Sequence, residues 1–125
     1  SNHAQIAIQK LQMIPPEKGK EFLPEELLGK QKFHSTWGRL KWDEASPTID
    51  TRFDAASNGT NNHPVLNRAI TAREAARIQS FDDTYIFYGT KVAVRTQIGN
   101  AVPPLMAKAI ADKIYNEIIY DQGEQ

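Results

Sequence analysis

The residues with the clearest chemical potential lie in Gln97–Leu105, which reads Gln-Ile-Gly-Asn-Ala-Val-Pro-Pro-Leu. Asn100 carries an amide that both donates and accepts, so it suits a ligand with mixed polar groups. Gly99, just before it, opens backbone conformations closed to other residues. Pro103 and Pro104 fit the first turn of a helix, where no N–H partner is needed, and nowhere deeper. The segment reads as a tight loop feeding a helix start, with Asn100 either a ligand-facing amide or a buried helix-start residue. A second kind of chemistry comes from local positive charge. Lys30, Lys32, Arg39 and Lys41 sit with His34 in a stretch free of acids, and Lys91, Arg95 and Lys108 fall between Asp83 and Asp112, again with no acid. Each run is either a phosphate-facing patch or a solvated face. The chain has no cysteine, which removes disulfides, thiolate metal sites and a cysteine nucleophile of its own. His63 is a lone histidine beside Pro64 and reads as structural; no metal site is expected without further ligands nearby.

These residues must be positioned by elements that 125 residues can form, which is the size of one domain. Formal charge is zero and 40% of residues are hydrophobic, while seven prolines and seven glycines imply many turns. No apolar run reaches the ~18 residues of a membrane span and no secretory signal is visible, so a cytoplasmic protein with no membrane partner is expected. Ser1-Asn2 reads as a remnant of tag removal. Ala4–Met13 is expected to form a short helix with Ile6, Ile8 and Leu11 partly on one side, ended by Pro15-Pro16. Pro24 opens a helical turn at Glu25–Leu28, with Gly29 as its stop. Trp37–Trp42 and Thr48–Phe53 alternate as strands would, with a turn at Asp43–Pro47 between them, and so predict a small ribbon able to reach a DNA groove or to close a subdomain. Asp54–Asn62 is turn-rich.

Thr71-Ala72-Arg73-Glu74 is a capping box, predicting a helix to about Ser80 with Ala75, Ile78 and Gln79 facing inward. Phe81, Tyr85, Phe87 and Tyr88 should cluster behind it. Lys91–Thr96 is a basic connector, either a short helix or a bent loop. From Pro103 to about Ile119 a helix carries Met106, Ile110, Ile114 and Ile118 at four-residue steps. Residues 121–125 should fray.

Arg68–Phe81 (Arg-Ala-Ile-Thr-Ala-Arg-Glu-Ala-Ala-Arg-Ile-Gln-Ser-Phe) followed by Gln97–Pro104 resembles the last two conserved motifs of DNA cytosine-5 methyltransferases. The stretch before them resembles the end of that family's target recognition domain, through Gly38–Asp43, Pro47-Thr48-Ile49, Thr51-Arg52-Phe53 and His63-Pro64. The resemblance covers roughly residues 37–119. One departure is Asp82, where the family usually has a proline after the phenylalanine. The glycine-rich cofactor loop, the Pro-Cys nucleophile, the Glu-Asn-Val motif and the Gln-x-Arg-x-Arg motif lie upstream in the family and are not in this sequence.

The resemblance implies an α+β fragment: a small β-ribbon subdomain, then C-terminal helices that complete a Rossmann-like domain binding S-adenosylmethionine. It divides the chain into an N-terminal segment (1–32), the end of the recognition domain (33–70), the last two motifs with the C-terminal helix (71–120) and a frayed tail (121–125). Asn100, Ala101 and Val102 would border the cofactor. Arg39, Lys41, Thr51, Arg52 and His63 would face double-stranded DNA. Arg68, Thr71, Arg73, Glu74, Arg77, Gln97 and Gly99 would hold the motifs together. The implied reaction moves a methyl group to C5 of a flipped cytosine, but no catalytic residue of it lies in this chain, so the chain alone should be inactive. Its partners would be DNA, the missing N-terminal catalytic part or subunit, and a homo-oligomer of the isolated chain. The implied setting is bacterial or phage-like and nucleoid-associated. The rival reading is a separately encoded non-catalytic DNA-binding or structural subunit of a split methyltransferase.

Overall fold

The computed structural model describes residues 3–29 and 35–123, so Lys30, Lys32 and His34 of the first basic run lie outside the described residues. Helix α1 spans Gln5–Met13 and buries Leu11; Ile14 leaves it in extended conformation ahead of the two prolines. A single 3-10 turn at Lys20–Phe22 and the short helix α2, Glu25–Leu28, follow. Gly29 closes α2 at φ +62, a region open to glycine at little cost.

The expected β-ribbon is not formed among the described residues. Trp37–Trp42 and Thr48–Phe53 do not pair with each other. Arg39 instead makes an isolated parallel bridge with Asn62, and Asn62 an antiparallel one with Ala69. Leu40 N–H donates to the Asn62 carbonyl at 2.8 Å, and Asn62 N–H returns a bond to Gly38 at 3.1 Å. The alternation in Thr48–Phe53 has another cause. Asp50 Oδ1 accepts from Arg52 N–H at 2.8 Å and bends the chain into a turn. Ile49 and Phe53 enter the core from either side of that turn.

Helix α3, Ala72–Ile78, begins with the full capping box: Thr71 accepts from Glu74 N–H, and the Glu74 carboxylate accepts from Thr71 N–H. Ala75 and Gln79 are buried as expected, but Ile78 is exposed. Its end is unusual. Ser80 sits at φ +65, where glycine is the common choice, and Phe81 N–H closes the turn on the Ala76 carbonyl. The left-handed serine costs about 1–2 kcal/mol. Its hydroxyl gives something back by accepting from Leu105 N–H at 3.2 Å, in the first turn of the last helix, where Pro103 and Pro104 have no side-chain cap to offer. Phe81, Tyr85 and Phe87 form the aromatic cluster, with ring centroids 4.9–5.0 Å apart. Tyr88 stands apart from it, exposed.

Helix α4, Lys91–Asn100, unites the basic connector and the expected loop in one element, capped by Thr90. Gln97, Gly99 and Asn100 are therefore its last turn rather than a loop. Residues 101–103 link it to α5, Pro104–Gly123, which starts one residue after the expected Pro103, runs past the expected end near Ile119 into the tail expected to fray, and buries none of its residues.

Two cores result. One joins Leu40, Ile49, Phe53, Ile70, Ala75, Ala76 and Ile98, and so ties α3 and α4 to the turn-rich middle of the chain. The other joins Leu11, Ile14 and Leu23 to Trp37 and Ala56. The N-terminal helix is thus packed on the residues that follow it. No helix among the described residues is long and apolar enough to cross a membrane.

Candidate functional site

The C-terminal end of α4 carries the best-placed polar group. Asn100 is exposed, and its amide makes no hydrogen bond among the described residues. Ala101 is half-buried and Val102 is 59% exposed. Gln79 fixes this end of the helix: its side-chain amide donates to the Ile98 carbonyl at 3.0 Å and to that of Ala101 at 3.4 Å. Gln97 donates to the Tyr88 carbonyl. The reason for Gly99 is steric. A Cβ there would lie 2.5 Å from Asp50 C and Thr51 N. Gly99 is thus needed for a close helix–turn contact, not for loop flexibility. The turn bearing Thr51 and Arg52 rests directly on α4, and Arg95 Nη1 holds both carboxylate oxygens of Asp54 at 2.9 and 3.0 Å beside it. The Arg52 side chain is exposed and has no ion pair or hydrogen bond among the described residues.

A groove of about 590 Å³ opens on another face, lined by Lys41, Trp42, His63, Glu74, Arg77 and Ile78 among others. Most of its charges are spoken for. Lys41 pairs with Glu44 at 2.8 Å, which raises the lysine pKa. Arg77 pairs with Asp83 at 2.8 Å in the turn that follows α3. His63 Nδ1 accepts from Val65 and Leu66 N–H, and its ring meets Trp42 edge-on. Burial, then the Arg68 charge, push its pKa below the ordinary value. Arg73 donates to the Tyr85 carbonyl and lies over Phe87. Among the described residues no group of acids and histidines is placed to hold a metal ion.

The structure puts Arg39 in the interior rather than on a phosphate-facing surface. It is 3% exposed. Nε donates to the Ile14 carbonyl, Nη1 to those of His63 and Leu66, and Nη2 to the Leu11 carbonyl and Asn67 Oδ1, at 2.6–3.1 Å. All five guanidinium N–H groups are used. Sequence reasoning missed this hub, along with Asp54, Arg95 and Ser80, because every partner is remote along the chain.

Arg68, Thr71 and Glu74 come together as expected. The Arg68 fork meets both Glu74 oxygens at 2.7 and 2.8 Å. The Arg68 hydrogen bond is the largest cause that holds the Glu74 carboxyl well down, at about 2 against an ordinary 4.5. Its stabilisation is therefore complete above pH 4.5 and lost as pH falls towards 2. Full burial would make this worth ~3 kcal/mol; with the side chain 33% exposed, screening leaves about 1–2 kcal/mol. In urea unfolding, the midpoint should fall between pH 5 and 2.5 more steeply than in Glu74→Gln, which starts lower and changes less. Parallel curves would show that the pair does not carry acid stability.

A family model described as C-5 cytosine-specific DNA methylase matches residues 7–116. The chain belongs to that family. Among curated relatives, the type II methyltransferase M.AgeI of Thalassovita gelatinovora is 44% identical over 71% of this chain and 20% of its own length. The type II methylase M.HgiDII of Herpetosiphon aurantiacus is 38% identical over 87% of this chain and 34% of its own. The DNA (cytosine-5)-methyltransferase PliMCI of Paracentrotus lividus is 43% identical over 65% of this chain and 5% of its own. The chain thus spans from about a twentieth to about a third of the length of these relatives.

Proposed function

We propose that this chain is the C-terminal part of a DNA cytosine-5 methyltransferase. In this reading it supplies one edge of an S-adenosylmethionine site and part of a DNA-facing surface. The observation that carries it is the α4–α5 junction. An amide unpartnered among the described residues stands there, just ahead of a helix whose apolar face no described residue covers. Asn100, Ala101 and Val102 border the cofactor, Asn100 by hydrogen bonding and Val102 by apolar contact. Lys41, Thr51 and Arg52 face DNA phosphates, which position a duplex without reading its sequence. Arg39 serves this surface from inside, by holding the His63 loop. Residues 33–70 are the end of the recognition domain and 71–120 complete the cofactor domain. The nucleophile and the main cofactor loop come from a catalytic part, whether on the same polypeptide or a separate subunit. The same surface serves either arrangement.

The test is methyl transfer from labelled S-adenosylmethionine to duplex DNA, with the chain alone and joined to the catalytic part. Transfer is expected only in the joined state, and methylated cytosine from the chain alone would sink the reading. In the joined enzyme Asn100→Ala should weaken cofactor binding about fivefold to a hundredfold, the equivalent of ~1–3 kcal/mol for lost buried hydrogen bonds, and leave DNA affinity unchanged. A loss of stability with cofactor affinity intact would make Asn100 a helix-end residue only.

A further inference from the structure

We propose that α4 is a strut for the phosphate-facing turn, with Gly99 and Arg95 as positioning residues for Arg52. The inference rests on the reading of Arg52 as a phosphate contact. Arg52 is exposed and unpaired among the described residues, so nothing in its own side chain fixes where it points. The turn beneath it is fixed from three directions. Asp50 Oδ1 accepts from Arg52 N–H at 2.8 Å, and both Asp50 oxygens accept from the Asn58 amide. Gly99 abuts the peptide between Asp50 and Thr51, where an added Cβ would lie 2.5–2.6 Å from backbone atoms. Backbone cannot swing aside as a flexible side chain does, so any side chain at position 99 displaces the turn or the helix. Arg95, one helical turn earlier on α4, grips both oxygens of Asp54 just past the turn.

The same helix ends in Asn100. One rigid element therefore spans from the amide assigned to the cofactor to the turn assigned to DNA, with the contact at Gly99, the residue next to Asn100. Displacing the turn should cost Arg52 its phosphate while the charge of the protein stays favourable.

That separation gives the test. Binding of the chain to a short random-sequence DNA duplex is followed by fluorescence anisotropy across a salt series. Arg52→Ala should flatten the log–log salt slope by about 0.9, the value of one lost phosphate contact. Asp54→Asn should flatten it by a similar amount, although it removes a negative charge and on electrostatics alone would tighten binding. Gly99→Ala should do the same with no change of charge. Arg95→Lys, which keeps a cation against Asp54, should stay near the wild type. Amide hydrogen exchange at Arg52 and Ala55 should quicken in Asp54→Asn.

If Arg52→Ala flattens the slope while Asp54→Asn and Gly99→Ala leave it unchanged, the strut is overturned and the phosphate reading stands. If Arg52→Ala leaves the slope unchanged, or the wild-type chain has no affinity at low salt, the phosphate reading falls and the strut with it. Should Gly99→Ala fail to fold, Asp54→Asn decides alone.

Discussion

Arg39→Ala is expected to take away a large part of the chain's stability and lower its urea midpoint sharply. The guanidinium is buried, carries no carboxylate partner among the described residues, and satisfies four backbone carbonyls and the Asn67 side chain. Burial pulls its pKa down from the ordinary arginine value, but an arginine remains charged throughout the accessible range. Two of the carbonyls, Leu11 and Ile14, lie at the C-terminal end of α1, where a cation also answers the negative end of the helix dipole. Removing the side chain strands these acceptors and opens the space between α1 and the 63–67 loop. Breaking a buried charged network typically costs about 3–5 kcal/mol, against ~5–15 kcal/mol for a whole domain. Arg39→Lys should recover little, since an ammonium has three donors and no planar fork. The measurement is the urea midpoint of both variants, together with the DNA salt slope of Arg39→Lys at a concentration of urea where it is folded. A lowered midpoint with an unchanged slope is the signature of an internal hub. A flattened slope with normal stability would return Arg39 to the phosphates.

The contrast between Arg39 and the capping box shows what the sequence makes legible. Thr71 and Glu74 are three residues apart, so their hydrogen bonds are local and their types announce them. The same holds for Pro24 before α2, for Gly29 after it, and for Pro104 at the start of α5. Arg39 looks like any other base in a basic run because its partners lie 24 to 28 residues away. Arg95 and Asp54 are 41 residues apart, and nothing local to either names the other. The alternation of Thr48–Phe53 failed for a different reason. Period-two burial needs only that Ile49 and Phe53 point inward, and a turn anchored by Asp50 achieves that as well as a strand does. The sequence marks Gly99 as special for its backbone freedom, whereas the helix needs only the absence of a side chain there. The aromatic cluster was legible in Phe81, Tyr85 and Phe87, whose spacing closes a loop on itself, and illegible in Tyr88, which has no neighbour to cover it.

The isolated chain is expected to self-associate through α5, and to release that contact when the catalytic part is supplied. Met106, Ile110, Ile114 and Ile118 recur at four-residue steps and are each 51–56% exposed. The described residues of the chain's own middle do not cover them. The helix is also poorly supported from within. Its pairs, Lys108 with Asp112 and Lys113 with Glu117, run from base to acid, the weaker order along a helix. No acid lies in its first turn and no base in its last, so its charges do nothing for the macrodipole. Stability must come from burial. Full burial of one such side chain is worth about 1.5–3 kcal/mol, and roughly half of that remains to be gained here. Two copies would together gain ~6–12 kcal/mol, against association costs of about 4–15 kcal/mol. The balance leaves at most about −8 kcal/mol, so the expected two-fold dimer is weak, micromolar at its tightest and millimolar where only about −4 kcal/mol remains. Sedimentation equilibrium over that range should show a concentration-dependent mass. Ile114→Glu should hold the chain monomeric while leaving its unfolding midpoint, read in dilute solution, unchanged, because the side chain is no part of either core. A wild-type chain that stays monomeric throughout would show that the face is not self-complementary. A large drop in the dilute-solution midpoint of Ile114→Glu would instead place the side chain in a core.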